Sequence, residues 1–258
     1  MRIGVCTSVD KFGGVAVEGL DYVELSVREF LCPDQDEQSF VKQLDTIKTW
    51  VVSVEAANCL FPPQMKVTGQ AVDNYAVDKW MRTVCRRAKQ AGIELIVFGS
   101  GRSRSVPEGF EPDKAIEQIY EHLKRWADIA ADVGVVIVVE PLSKKECNLI
   151  NNVDEALELV HRVDHPNIRL LVDTCHMYRE GESADAIHRA NGLISHVHCA
   201  EGETLLPIGF GKENHQPYFR ALKEIGYNGR ISIEAVFPNF PEQLPLAVSR
   251  LRREIENA

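Results

Sequence analysis

Four residues whose side chains bind metals or move protons stand at or beside the ends of four successive apolar runs. They are Glu140 in VVIVVE (135–140), Asp173 in IRLLVD (168–173), His198 in ISHVHC (194–199) and Glu234 in ISIEAV (231–236). Taken singly, each has an ordinary use: a solvated loop residue, a helix N-cap, a satisfied core histidine, and half of a buried ion pair. Taken together they read differently, because three carboxylates converging on one place repel one another and stay ionised only around a cation. Three carboxylates and one imidazole suit an oxygen-preferring divalent ion, so Mn²⁺ ranks first, ahead of Mg²⁺ and Co²⁺, with Zn²⁺ still admitted. His176, at the end of DTCH (173–176), either supports such a centre or donates to a substrate oxygen, or is a polar residue at a helix start. Cys175 and Cys199 adjoin these residues, which leaves a thiolate ligand open as a minor alternative.

Strand ends converge only if the strands run parallel and share a mouth. Four further short runs, RIGVC (2–6), DYVEL (21–25), VSVEAAN (52–58) and IELIVF (93–98), precede the four above. Amphipathic stretches lie between them, at 36–49, 72–91, 112–132, 152–163, 183–191, 215–225 and 240–257, with a weak one at 11–19. Eight strands alternating with eight helices predict a single (β/α)₈ TIM barrel occupying residues 1–258 as one domain. The strands are almost continuously apolar, as burial on both faces requires, and no GxGxxG follows the first of them. In a barrel, a polar residue at the C-terminal end of a strand faces the mouth. The two longest loops, 61–70 and 99–112, follow strands three and four on that same face and bring Asn58, Ser100, Arg102 and Arg104 beside it. The two arginines either pair with an acidic group of a substrate or are solvated loop charges. After strand seven, IGFGKENH (208–215) either cradles a phosphate on backbone N–H groups or shapes a turn.

With 29 Lys+Arg against 38 Asp+Glu the net charge is -9, and no basic run interrupts it, so DNA or RNA is not the expected partner. No apolar stretch approaches the ~20 residues of a membrane span and the N-terminus carries no signal core, which predicts a cytoplasmic protein without membrane attachment. The seven cysteines are odd in number and show no CxxC spacing, as expected of reduced thiols.

DYVEL, EAANCLFP, FGSGRSRSVPEGF, VVEPLSKKECN, LLVDTCHM, SHVHCAEG and ISIEAV each follow or close a predicted strand, and together they resemble the xylose-isomerase-like barrels. That family includes sugar phosphate isomerases and epimerases, ketose 3-epimerases, hydroxypyruvate isomerase, inosose-processing enzymes and endonuclease IV. The resemblance spans nearly the whole chain and implies a metal-dependent isomerase or epimerase of a small ketose or ketose phosphate. By the pattern of the ketose 3-epimerases, Glu140 and Glu234 flank the reacting carbon as acid and base while also binding metal. Asp173 and His198 complete the ligand set, His176 contacts a substrate oxygen, and Glu24 lines the pocket, unless it is instead a buried, charge-paired residue. Metal-stabilised enediolate chemistry of this kind serves epimerisation when the proton returns on the opposite face and aldose–ketose isomerisation when it returns at the adjacent carbon. The resemblance also implies homo-oligomers.

Two departures bear on substrate. The ketose 3-epimerases carry an arginine shortly after the strand-seven histidine, and CAEGETLLPIGFGKEN (199–214) has none. Endonuclease IV needs further histidines after strands three and four, where Asn58 and Ser100 stand here. The alternatives on the same site are dehydration of an inosose-type ketone or hydroxypyruvate isomerisation, and outside catalysis a sugar-binding barrel without turnover.

Overall fold

The computed structural model describes residues 1–258 and closes eight parallel strands into a barrel in sequence order. The strands are β1 (Arg2–Thr7), β2 (Tyr22–Ser26), β3 (Ser53–Asn58), β4 (Leu95–Phe98), β5 (Val136–Val139), β6 (Ile168–Asp173), β7 (Ile194–Cys199) and β8 (Arg230–Ile233). Closure is made by β1 on β8, with Ile3 opposite Ile231 and Val5 opposite Ile233. The outer ring consists of α1 (Val9–Phe12), α2 (Glu37–Ile47), α3 (Asn74–Ala91), α4 (Gly101–Arg104), α5 (Pro112–Ala131), α6 (Val153–Val163), α7 (Thr174–Glu180), α8 (Asp185–Arg189), α9 (Gln216–Glu224) and α10 (Phe240–Asn257). One turn of π-helix, Val27–Leu31, follows β2 directly. No helix is long and apolar enough to cross a membrane.

The (β/α)₈ expectation holds, with local differences that have plain causes. The stretch 11–19 forms only α1, because Gly13 and Gly14 both adopt left-handed φ (63° and 73°), which a helix cannot continue. Residues 183–191 yield just one turn, α8, since α7 takes up the preceding segment. That helix starts at Asp173, whose carboxylate Oδ1 accepts the Cys175 N–H at 2.7 Å.

Side-chain alternation divides the barrel into two cores. Residues pointing outward join the helices in one large apolar cluster, whereas Tyr22, Ala56, Leu95, Val97, Val138 and Leu171 form a separate apolar cluster inside the ring of strands. Continuing the inward positions by steps of two leads from Tyr22 to Glu24, from Val138 to Glu140, from Leu171 to Asp173 and from His196 to His198. Glu140, Asp173 and His198 thus top the stack of inward side chains, with Glu24 and His196 beneath them. Tyr22 closes the lumen near its base, where its ring occupies space that a β-carbon on Gly4 would take. Below it, Glu55 receives Arg2 at 2.5 and 2.6 Å and Arg230 at 2.7 Å, sealing the N-terminal end with ion pairs.

One wall of the mouth rests on an aromatic cluster. Trp126 of α5 packs between Phe98 and Phe61, with centroids 5.3 and 5.2 Å away, and His122 stacks on its other side at 5.0 Å. Burial, with help from the Arg125 charge, lowers the His122 pKa from 6.5 to about 4. Between these values the unfolded chain binds more protons than the folded one, so stability falls as pH drops from about 6.5 towards 4. In urea titrations, His122→Phe should flatten this acid-side loss by roughly 2–3 kcal/mol relative to the parent.

Candidate metal centre

Glu140 follows β5, Asp173 ends β6, His198 lies near the end of β7 and Glu234 follows β8. Their ligand atoms all lie within 4.8 Å of one another. His198 Nδ1 is 2.9 Å from Glu234 Oε2 and 3.3 Å from Glu140 Oε1. Asp173 keeps Oδ2 free of its capping bond, 3.6 Å from His176 Nε2. Glu140, Asp173 and His198 are buried, while Glu234 remains about a third exposed (36%) at the open edge. Close approach of Glu140 depends on Gly99, since a β-carbon there would collide with Glu140 Oε2.

Of the two readings of Glu24, the structure shows the buried, charge-paired residue and not the pocket-lining one. It is fully buried beneath the mouth, where its Oε1 takes His198 Nε2 at 2.9 Å, and its Oε2 takes His196 Nε2 at 2.7 Å and the Ser232 hydroxyl at 2.6 Å. The physical reason is its inward position one layer down, where an unpaired carboxylate would be costly. The pairing fixes the tautomer and orientation of His198, so that its other nitrogen, Nδ1, faces the carboxylates. Burial opposes ionisation of Glu24, but the two histidines beside it hold its carboxyl well below the usual range. Burial likewise disfavours charge on His198, and the Glu24 and Glu234 charges override it, keeping its pKa well above the ordinary value. Glu140 is pushed up by burial, whereas at Glu234 the His198 charge overcomes burial and holds the carboxyl down. His196, Ser232 and Tyr22 were not singled out in the sequence, although the spacing-by-two in SHVH, SIE and YVE carries the signal.

These donors suit a divalent cation. Three carboxylates and an imidazole nitrogen converge, and the histidine is held by a carboxylate on its far side. Neither Cys175 nor Cys199 joins the cluster, which corrects the thiolate alternative; burial raises both thiols far above their usual range.

Above the cluster opens a cavity of about 420 Å³, lined among others by Arg28, Asn58, Phe61, Arg102, His176 and Leu205. Asn58 Nδ2 donates to Glu234 Oε1 at 3.1 Å. Ser100 lines the cavity too, although its hydroxyl already accepts the Phe61 N–H at 3.0 Å. Arg102 is exposed at the rim. Arg104 is the opposite of a solvated loop charge: it is fully buried, with its guanidinium donating to the Phe98 and Ile150 carbonyls at 3.1 and 3.3 Å. The loop IGFGKENH is no phosphate cradle either, because the Gly209 and Gly211 N–H groups already donate to the buried Glu201 carboxylate, at 2.8 and 3.2 Å.

Residues 15–254 match the family described as the xylose isomerase-like TIM barrel. The D-psicose 3-epimerase of Ruminiclostridium cellulolyticum is 34% identical over 119 residues, covering 46% of this chain and 40% of that protein. The inosose isomerase of Bacillus velezensis is 28% identical over 237 residues, 86% of this chain and 81% of its own. The chain thus matches about 40% of the length of the 3-epimerase relatives, and more of the inosose isomerase. Among solved structures, the 3-keto-D-glucoside 4-epimerase from E. coli has the same fold, with a TM-score of 0.82 at 19% identity over 98% of this chain and 99% of the other.

If Glu24 orients His198 as argued, Glu24→Gln should weaken Mn²⁺ binding about 10- to 100-fold while leaving the circular dichroism of the fold unchanged. Calorimetric titration of parent and variant reads this directly.

Proposed function

Since this chain belongs to the xylose isomerase-like TIM barrel family, we propose that it is a divalent-metal-dependent isomerase or epimerase acting on a small ketose-type substrate. The observation that carries this reading is the convergence of Glu140, Asp173, His198 and Glu234 under an open cavity, two of them being glutamates on well-separated strands. The four would hold the cation, Mn²⁺ ranking first on their chemistry, and when bound it supplies Lewis acidity to a carbonyl and a neighbouring hydroxyl oxygen.

The chain's own groups then do the proton work. Glu140 follows β5 and Glu234 follows β8, three strands apart in a ring of eight, so that the two carboxylates reach a substrate above the cluster from different sides of the mouth. One removes the proton from the carbon beside the carbonyl and the other delivers one, which inverts that centre; return at the adjacent carbon gives isomerisation instead. Asn58 holds one oxygen of Glu234 and so limits its swing, leaving the other oxygen directed at the cluster. His176, next to Asp173 at the cavity wall, is positioned to donate to a substrate hydroxyl. Phe61, Leu142, Leu205 and Val236 supply the apolar part of the lining.

A cyclic ketone of the inosose type is the second reading, favoured by the breadth of the match to an inosose isomerase. Both readings require the same exchangeable carbon-bound proton.

Incubation of the Mn²⁺-loaded protein in D₂O with ketoses, ketose phosphates, hydroxypyruvate and an inosose should show deuterium incorporation by NMR, and the labelled carbon names the reaction. Chelation should abolish exchange. Glu140→Gln and Glu234→Gln should each slow it about 10²–10⁴-fold even in samples shown to hold metal. Water loss in place of simple exchange would identify a dehydratase, and no exchange across the panel in a metal-loaded protein would contradict the assignment.

A further inference from the structure

The cavity over the metal centre holds two guanidinium groups with no acidic partner of their own. Arg28 lies on the π-helical turn after β2, half-buried, and its Nε is buried with no hydrogen-bond partner. Arg102 stands on α4 after β4, exposed at the rim, with its side chain in no ion pair. The chain pairs its other mouth-lining acid internally, Glu146 with Arg179 at 2.8 Å, so these two arginines are left over.

Arg28 is also a built position. Val27, Phe30 and Leu31 bury themselves and anchor the π turn, which leaves Arg28 as its cavity-facing cation. From behind, the fully buried Arg87 donates to the carbonyls of Leu31 (2.8 Å), Cys32 and Gln35 (3.0 Å), clamping the backbone just past the turn. Single turns of π-helix are scarce and occur frequently at functional sites. On the cavity side, Arg28 borders the thiol of Cys59, whose backbone is itself held at φ 53°.

Electrostatics say what this pair is for. Counting the ionised Glu24 behind His198, the four carboxylates and a divalent cation leave a charge of about −2, which the two guanidiniums bring to neutrality without either being paired to an acid. A neutral sugar leaves both guanidiniums without a charged partner, whereas an anionic group supplies one, including for the buried Arg28 Nε. The backbone alternative is occupied, because Glu201 fills the glycine loop after β7 as a built-in anion.

Resting on the isomerase reading above, we propose that the substrate carries an anionic group, phosphate or carboxylate, and that Arg28, assisted by Arg102, binds it in the cavity above the metal centre. Planar guanidinium donors match the oxygens of either group bidentately.

The test is deuterium exchange by the Mn²⁺-loaded protein on matched pairs: a free ketose against its 1-phosphate and its terminal phosphate, and dihydroxyacetone against hydroxypyruvate. It is run on the parent, Arg28→Gln and Arg28→Lys, with calorimetric titration of the Mg²⁺-loaded protein by inorganic phosphate and by glycolate as a second readout. The expected result is a kcat/KM preference for one anionic class. In Arg28→Gln the ratio of anionic to neutral kcat/KM should fall about 10- to 100-fold, chiefly through KM, with partial recovery in Arg28→Lys. Which probe and which substrates respond separates phosphate from carboxylate. Preference for the neutral ketoses would overturn the anion assignment while leaving the isomerase reading intact. Equal loss on neutral and anionic substrates would also overturn it, showing that Arg28 serves the carboxylate cluster. Absence of any exchange, with phosphate or glycolate binding still dependent on Arg28, would support the anion site and remove the isomerase reading.

Discussion

Gathering the carboxylates of Glu140, Asp173 and Glu234 so that their oxygens lie within 4.8 Å of one another sets a repulsion of roughly 3–4 kcal/mol per pair at an effective dielectric near 20. Everything near the mouth is arranged to tolerate that concentration of charge. His198 supplies the adjacent nitrogen, Glu24 holds His198 from below, and His196 and Ser232 hold Glu24 in turn. The chain of contacts runs down the inner face of the barrel to Tyr22, whose hydroxyl meets Ser232 at 2.8 Å. The orientation of His198 at the top is therefore linked by hydrogen bonds to Tyr22 at the bottom.

The architecture also explains why one face carries function. Parallel strands place all their C-terminal ends at one rim, and alternation brings every second residue into the lumen, so four successive strands can each place one donor at or within one residue of its end. Loops then add what the strands do not supply: Asn58 and Phe61 after β3, Ser100 and Arg102 after β4, Leu205 after β7. The opposite rim is closed by Glu55 with Arg2 and Arg230, a charge cluster satisfied within itself.

Much of this was legible in the sequence because the relevant pattern is strong. The eight apolar runs mark the strands, and polar residues ending four apolar runs in a row are hard to explain without a shared ligand. The second layer was less legible, since Glu24, His196 and Ser232 look like isolated polar residues until spacing-by-two is followed along each strand. Arg104 and Arg28 show the limit of reading loop charges by type. Arg104 is buried on backbone carbonyls, and Arg28 faces the cavity, for reasons that lie in the local turn and in contacts many residues away. The glycine loop after β7 is the same lesson, as its N–H groups are taken by Glu201, a residue on the same loop.

The central claim is that one cation is held by these four side chains, with histidine binding through Nδ1. Anomalous diffraction from Mn²⁺-soaked crystals tests it most directly. A single strong peak is expected among Glu140, Asp173, His198 Nδ1 and Glu234; a peak instead at the second acidic group, Glu201, Glu213 and His215, or no peak at saturating Mn²⁺, would contradict this assignment.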